Sequence, residues 1–220
     1  VICSAPGAAS STITGAPKVL LTTSCTHALE MAMLLTGLGP DDEVICPAFT
    51  FVSSVNAFVL RGARPVFVDI RPDTLNIDER LVEAAITPRT RAIVLINPNN
   101  PTGANYPREL LSEIVALAER HGLVLMADEI YDGILYDDAV FQPLAALAGD
   151  LPCISFGGLS KVHRACGYRV GWFTVSGNAA RIGNMLHAFD LLAALRLCGN
   201  VPGQWAIEAA LQGIDTISAL

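Results

Sequence analysis

Only two lysines occur in the 220 residues, and one, Lys161, lies in the run Ile154-Ser-Phe-Gly-Gly-Leu-Ser-Lys-Val-His-Arg-Ala-Cys-Gly-Tyr-Arg-Val-Gly-Trp172. Twelve arginines carry the remaining basic charge, so solvation alone is a weak reason for a lysine here. An amine between a small-residue turn and a glycine-spaced arginine suits covalent capture of a carbonyl. Holding an aldehyde cofactor this way also requires a carboxylate for a ring nitrogen, donors for a ring hydroxyl, phosphate anchors and a flat ring partner.

Each requirement has a candidate with a competing plain reading. Asp128 follows Leu123-Val-Leu-Met-Ala127 and is placed to keep a ring nitrogen protonated; alone it reads as a helix N-cap. Tyr131 and Asn100, the latter inside Asn97-Pro-Asn-Asn-Pro-Thr-Gly103, suit a ring hydroxyl, against a packed aromatic and an ordinary turn. Ser24, Cys25 and Thr26 open a helix directly after a strand, where free N–H groups favour phosphate, or they simply cap it. Arg169 adds a full positive charge, or makes a surface ion pair. Phe51 stacks on a ring or packs in the core.

These residues must be brought together by the elements between them. Apolar runs predict seven strands, at 18–23, 43–46, 65–69, 91–96, 123–127, 153–156 and 169–175. Helical patterns cover 26–38, 51–60, 77–85 and 107–121, with Gly122 as a C-cap, then 179–197 and 202–212. The alternation implies an α/β fold, a mostly parallel seven-stranded sheet with helices on both faces. About a dozen residues without a helix join the last two strands, which makes the last strand antiparallel. Ligands collect beyond the carboxyl ends of such strands, which is where the candidates fall apart from Arg169, at the start of the last strand.

Composition narrows the function. Half the residues are apolar, and the net charge of −7 comes without a basic cluster, so neither nucleic acid nor an anionic membrane is the expected partner. Six dispersed cysteines show no C-x-x-C pair and no metal spacing, so no metal site and a reducing cytoplasm are expected. No run reaches the length of a spanning helix, and the first ten residues lack the charge pattern of a signal peptide.

At these residues the chain resembles pyridoxal-phosphate enzymes of fold type I, in two parts. From about 97 to 211 it resembles class I/II aminotransferases, closest to bacterial alanine aminotransferases, through Asn97-Pro-Asn-Asn-Pro-Thr-Gly103, Ala127-Asp-Glu-Ile-Tyr-Asp-Gly-Ile-Leu-Tyr-Asp137, Gly158-Leu-Ser-Lys-Val-His-Arg164 and Gly167-Tyr-Arg-Val-Gly-Trp172. From about 13 to 94 it resembles nucleotide-sugar aminotransferases, through the Lys18–Met31 run, Pro47-Ala-Phe-Thr-Phe-Val-Ser-Ser-Val-Asn-Ala-Phe58 and Arg71-Pro-Asp-Thr-Leu-Asn-Ile-Asp78. The switch near Leu95 reads as a chimera joined in the fourth strand.

The resemblance implies pyridoxal 5'-phosphate as cofactor. Lys161 would be its Schiff-base lysine, Asp128 on the ring nitrogen, Asn100 and Tyr131 on the hydroxyl, Arg169 with Ser160 near the phosphate, Cys25 and Thr26 at the phosphate turn and Phe51 on the ring. It implies a ping-pong aminotransferase passing an amino group from an amino acid to a 2-oxo acid, and a homodimer. Three alternatives stand beside this: a cofactor-binding scaffold without turnover, a nucleotide-sugar aminotransferase, and a lyase or racemase. The expected layout is a leader at 1–14, a cofactor-binding large domain at 15–177, and helices at 178–220 without the family's small domain or its carboxylate-gripping arginine. Gly158 stands where many class I/II enzymes have a serine.

Overall fold

The computed structural model describes residues 16, 18–195, 199–214 and 217. The leader at 1–14, Cys3, Cys198 and the last two positions of the helix expected over 179–197 lie outside the described residues. Seven strands form one sheet: β1 (Lys18–Thr22), β2 (Glu43–Pro47), β3 (Arg64–Val68), β4 (Thr90–Ile96), β5 (Val124–Asp128), β6 (Cys153–Gly158) and β7 (Gly171–Ser176). Their spatial order is β1-β7-β6-β5-β4-β2-β3. The pairs β2·β3, β2·β4, β4·β5 and β5·β6 are parallel, whereas β7 runs antiparallel to both β6 and β1. The sequence-derived architecture and its reversed last strand are therefore what the chain adopts.

The helices are α1 (Cys25–Leu35), α2 (Val52–Val59), α3 (Glu79–Ala85), α4 (Arg108–His121), α5 (Ala145–Ala148), α6 (Ala179–Leu195) and α7 (Val201–Gln212). Side chains alternate across the sheet, as the two-residue strand period demands. Val44, Cys46, Ala92, Val94, Ile96 and Met126 join the core under α1, α2 and α6. Ile45, Ile93, Leu95, Leu125 and Ala127 join the opposite core under α3, α4 and α5. Because both faces are covered, the strands are continuously apolar, and each fully buried Leu, Ile or Phe contributes about 1.5–3 kcal/mol.

Several boundaries differ from expectation for local reasons. Helix α4 ends as predicted, with Gly122 in the left-handed region at φ 65°. Helix α1 stops at Leu35, and Phe51 precedes α2 as its extended N-cap residue. Strand β7 begins at Gly171 because Cys166–Tyr168 forms a 3-10 turn and Arg169 takes a left-handed φ of 52°. The single-turn α5 was not anticipated, being too short to carry a helical period.

Candidate active site

One end of the sheet gathers every chemically interesting residue. The carboxyl ends of β1, β2, β4, β5 and β6 point the same way, and β7, being reversed, begins at that end. The chain connections there surround a cavity of about 230 Å³. Its lining contains all ten residues singled out from sequence: Ser24, Cys25, Thr26, Phe51, Asn100, Asp128, Tyr131, Ser160, Lys161 and Arg169.

Lys161 is presented by a turn anchored on both sides. Leu159 and Val162 are buried, the Leu159 amide donates to Val170 O at 3.1 Å, and the Arg164 amide closes onto Lys161 O at 3.0 Å. The ammonium is left exposed toward the cavity, with Nζ 5.8 Å from the Tyr131 ring centroid. Asn100 Nδ2 donates to the Tyr131 hydroxyl at 3.0 Å, so amide and phenol, 31 positions apart, are fixed as a pair.

Asp128 caps no helix; the chain leaves β5 in turns. Its carboxylate, on the same sheet face as Met126, points under α1 and α2. There Ser54 Oγ donates to Oδ2 at 2.6 Å and Cys25 Sγ donates to Oδ1 at 3.6 Å. Burial raises the Asp128 carboxyl above its ordinary range, opposed by the bonds from Ser54, Cys25 and the Ile130 amide and by the charge of Lys161. The Cys25 thiol is pushed well up, first by burial and then by Asp128, so it is a protonated donor rather than a thiolate.

The phosphate candidates divide by function. Ser24 is the N-cap of α1, and its Oγ accepts from the His27 amide at 3.1 Å. The first-turn amides of Cys25 and Thr26 are therefore among the helix donors without an intrahelical acceptor. Across the cavity Arg169 is exposed, and its Nη1 donates to Cys166 O at 2.8 Å. Among the described residues it forms no salt bridge. Phe51 is 45% exposed and so is not a core aromatic.

Two glycines let the walls close. A Cβ at Gly171 would overlap the backbone of Ser24 and Cys25, so only glycine lets the start of β7 meet the α1 turn. A Cβ at Gly158 would sit 2.9 Å from Val170 O, so packing favours glycine at this position. Sequence reasoning missed Leu29, Ser53, Ile96, Ile130 and Cys166 in the lining, and Ser54 behind it. Ser54 carried one usable signal: it stands three residues after Phe51, the spacing of one helix face.

Among the described residues, no group of three or more potential ligands is arranged to hold a metal ion, and no helix is long and apolar enough to cross a membrane. Cys25, Cys46, Cys153 and Cys166 are free thiols.

Comparison with known proteins bears directly on this geometry. The glutamate-pyruvate aminotransferase AlaA of Escherichia coli K12 is 46% identical over 187 residues, covering 82% of this chain and 45% of that protein. The alanine aminotransferase of Mycobacterium tuberculosis H37Rv is 44% identical over 180 residues, covering 81% of this chain and 42% of that protein. The chain thus spans about half the length of the curated relatives it matches. Among solved structures, an aminotransferase from Escherichia coli superposes with a TM-score of 0.86 at 42% identity, over 91% of this chain and 50% of that one. An alanine aminotransferase from Pyrococcus furiosus gives 0.88 at 31% identity, over 98% and 56%. The sheet is accordingly that of the fold type I aminotransferase large domain. The model of the DegT/DnrJ/EryC1/StrS aminotransferase family matches residues 8–130, more than half of the sequence, and the chain belongs to that family.

Proposed function

We propose that the chain binds pyridoxal 5'-phosphate through Lys161 and supports amino-group transfer from an amino acid to a 2-oxo acid. The observation that carries this reading is the single cavity in which an amine, a buried carboxylate, an amide–phenol pair, a helix N-terminus and an arginine converge from separate strand ends. That donor set matches an aldehyde-bearing, phosphorylated pyridine part by part. The bound cofactor supplies a carbonyl for imine formation and an electron-withdrawing ring that delocalises the charge left when an α-proton departs.

The protein's share is binding, orientation and proton transfer. Lys161 would supply the amine that holds the aldehyde, and its Nζ, when free, would be the base positioned to take and return the substrate's proton. Asp128 would keep the ring nitrogen protonated, and Asn100 with Tyr131 would bind the ring hydroxyl. Amides of Cys25 and Thr26, with Ser24, Ser160 and Arg169, would hold the phosphate, and Phe51 would supply the flat partner for the ring. Borohydride reduction of the yellow protein, followed by peptide mapping, tests this: the cofactor should be fixed on Lys161, and labelling elsewhere overturns the assignment.

An α-amino acid donor and a 2-oxo acceptor are favoured by the names of the relatives, glutamate-pyruvate and alanine aminotransferase. Cofactor binding without turnover is the second reading, marked by a spectrum that does not respond to alanine or glutamate. Residues 15–177 form the cofactor-binding unit in this scheme, and α6 buries Ile182, Phe189 and Ala193 against it. A homodimer is supported by Phe49, Phe51 and Val52, apolar yet exposed beside the site; sedimentation as a monomer overturns it. Free thiols agree with a cytoplasmic setting. A chimera joined near Leu95 accounts for the two resemblances. It must accommodate a glutamate-pyruvate aminotransferase match covering 82% of the chain, which necessarily extends before that point.

A further inference from the structure

We propose that Ser54 is a positioning residue for Asp128, pinning carboxylate oxygen Oδ2 so that Oδ1, beside the Cys25 thiol, is the oxygen that meets the cofactor's ring N–H. The inference rests on the reading of the cavity as a pyridoxal-phosphate site and refines it to the atom.

The two oxygens are held unequally. Ser54 Oγ lies 2.6 Å from Oδ2, the short range of a hydroxyl donating to a carboxylate. Both partners are buried, Ser54 at 1% and Asp128 at 3% exposure, with Asp128 reaching the cavity lining. A serine in a helix usually bonds back to a carbonyl one turn earlier; this one reaches another strand instead. Oδ1 has the Cys25 thiol at 3.6 Å, a weak and long donor that yields to a charged N–H. Cys25 thus contributes its side chain at the carboxylate and its amide to the first turn of α1.

Ser54 also bears on charge. Of the groups that favour the ionised carboxylate, its hydroxyl has the largest effect, ahead of Cys25, the Ile130 amide and Lys161. A protonated ring nitrogen needs that ionised partner, and burial works against it. The first turn of α2 therefore does two tasks: Phe51 ahead of it lies at the cavity wall, while Ser54, three residues on, holds the carboxylate from behind.

The test uses Ser54→Ala and Ser54→Cys in the full chain, both near native volume, with circular dichroism melts to show that they fold. In cofactor-free protein, carboxyl carbon NMR, assigned with Asp128→Asn, should show Asp128 titrating at higher pH in S54A than in wild type, with S54C between. An unchanged titration overturns the proposal. Binding is then compared for pyridoxal phosphate and for an analogue with carbon in place of the ring nitrogen. S54A should weaken the natural cofactor on the order of tenfold and leave the analogue unchanged. Equal loss for both ligands, or loss for neither, overturns the proposal. Failure of wild type to bind pyridoxal phosphate would instead sink the cofactor reading, and the titration would still decide whether Ser54 governs Asp128.

Discussion

The Nζ of Lys161 stands 5.8 Å from the centre of the Tyr131 ring, and the hydroxyl of that ring is held by Asn100 Nδ2 at 3.0 Å. The amine, the phenol and the amide come from the turns after β6, β5 and β4, adjacent strands of the sheet. Parallel pairing in register thus converts residues 100, 131 and 161 into neighbours. The backbone reinforces the alignment, since the Asn97 amide donates to Asp128 O at 3.0 Å and the Glu129 amide to Phe156 O at 3.0 Å.

Because Asn100 and Tyr131 touch, their effects on cofactor binding should not add. Asn100→Ala and Tyr131→Phe are each expected to weaken pyridoxal-phosphate binding by about 1 kcal/mol, and the double variant by clearly less than the sum. Equilibrium titration of the four proteins checks this. Strict additivity would mean that the pair acts on the ligand as two independent groups.

Lys161→Ala should abolish borohydride fixation of the cofactor and the visible absorbance that accompanies it. The exposed side chain has little packing to lose, so the thermal midpoint of the cofactor-free protein should change little. Retained fixation would place the reactive amine elsewhere.

Gly171→Ala asks how tightly the cavity wall is packed. The added methyl meets the backbone of Ser24 and Cys25, which cannot rotate away as a side chain can. A loss of about 1–3 kcal/mol in urea unfolding is expected, with weaker phosphate and cofactor binding as α1 is displaced. An alanine protein with native stability and native phosphate affinity would show that this contact is looser than the geometry requires.

Much of this arrangement was legible in the sequence because it follows short-range rules. Asp128 directly follows an apolar run, Asn100 and Lys161 lie in the turns a few residues beyond one, and an α/β sheet puts such positions at one edge. The reversal of β7 was legible from the short connection between Phe156 and Arg169. Of Ser54 only its side of the helix was legible, from the spacing after Phe51; its partner lies on β5, and nothing local shows that a serine grips a distant carboxylate. The two tasks of Cys25 were hidden likewise: the helix start at Ser24 reveals its amide, but only the stacking of α1 over β5 reveals its thiol. The short α5 and the 3-10 turn at Cys166–Tyr168 lack the length needed for a periodic signal.

Away from the cavity, Glu43 should govern acid stability. Its side chain is 1% exposed and receives Thr87 Oγ1 at 2.6 Å, Arg89 Nε at 3.0 Å and the Arg64 guanidinium. The Thr87 hydroxyl, then Arg64, hold its carboxyl down at about 2, against an ordinary value of 4.5. A depressed carboxyl contributes its stability above the ordinary value and loses it as pH falls toward the native one, because the unfolded chain binds the proton first. Wild type should therefore weaken between about pH 4.5 and 2 in denaturant titrations, and Glu43→Gln, weaker at neutral pH, should lose part of that slope. An unaltered slope in the variant would assign acid lability to other carboxylates.

Glu129 should act with the opposite sign. It follows Asp128 on the other sheet face, in a second cavity of about 680 Å³ lined also by Ser155, His163 and Trp172. Its Oε1 accepts from the Leu144 amide at 2.8 Å. Burial pushes its carboxyl up to about 8, the Leu144 amide opposes this, and the charges of Asp132 and Asp128 add to it. Between about 4.5 and 8 the native state holds a proton that the unfolded state has released, so stability falls as pH rises through that window. Glu129→Gln keeps an acceptor for Leu144 and removes the titration. Its stability relative to wild type should therefore improve steadily from pH 5 to pH 8, as read from urea midpoints at fixed ionic strength. A parallel pH dependence in the two proteins would mean that Glu129 is ionised in the native state at neutral pH and that solvent in the adjoining cavity reaches it.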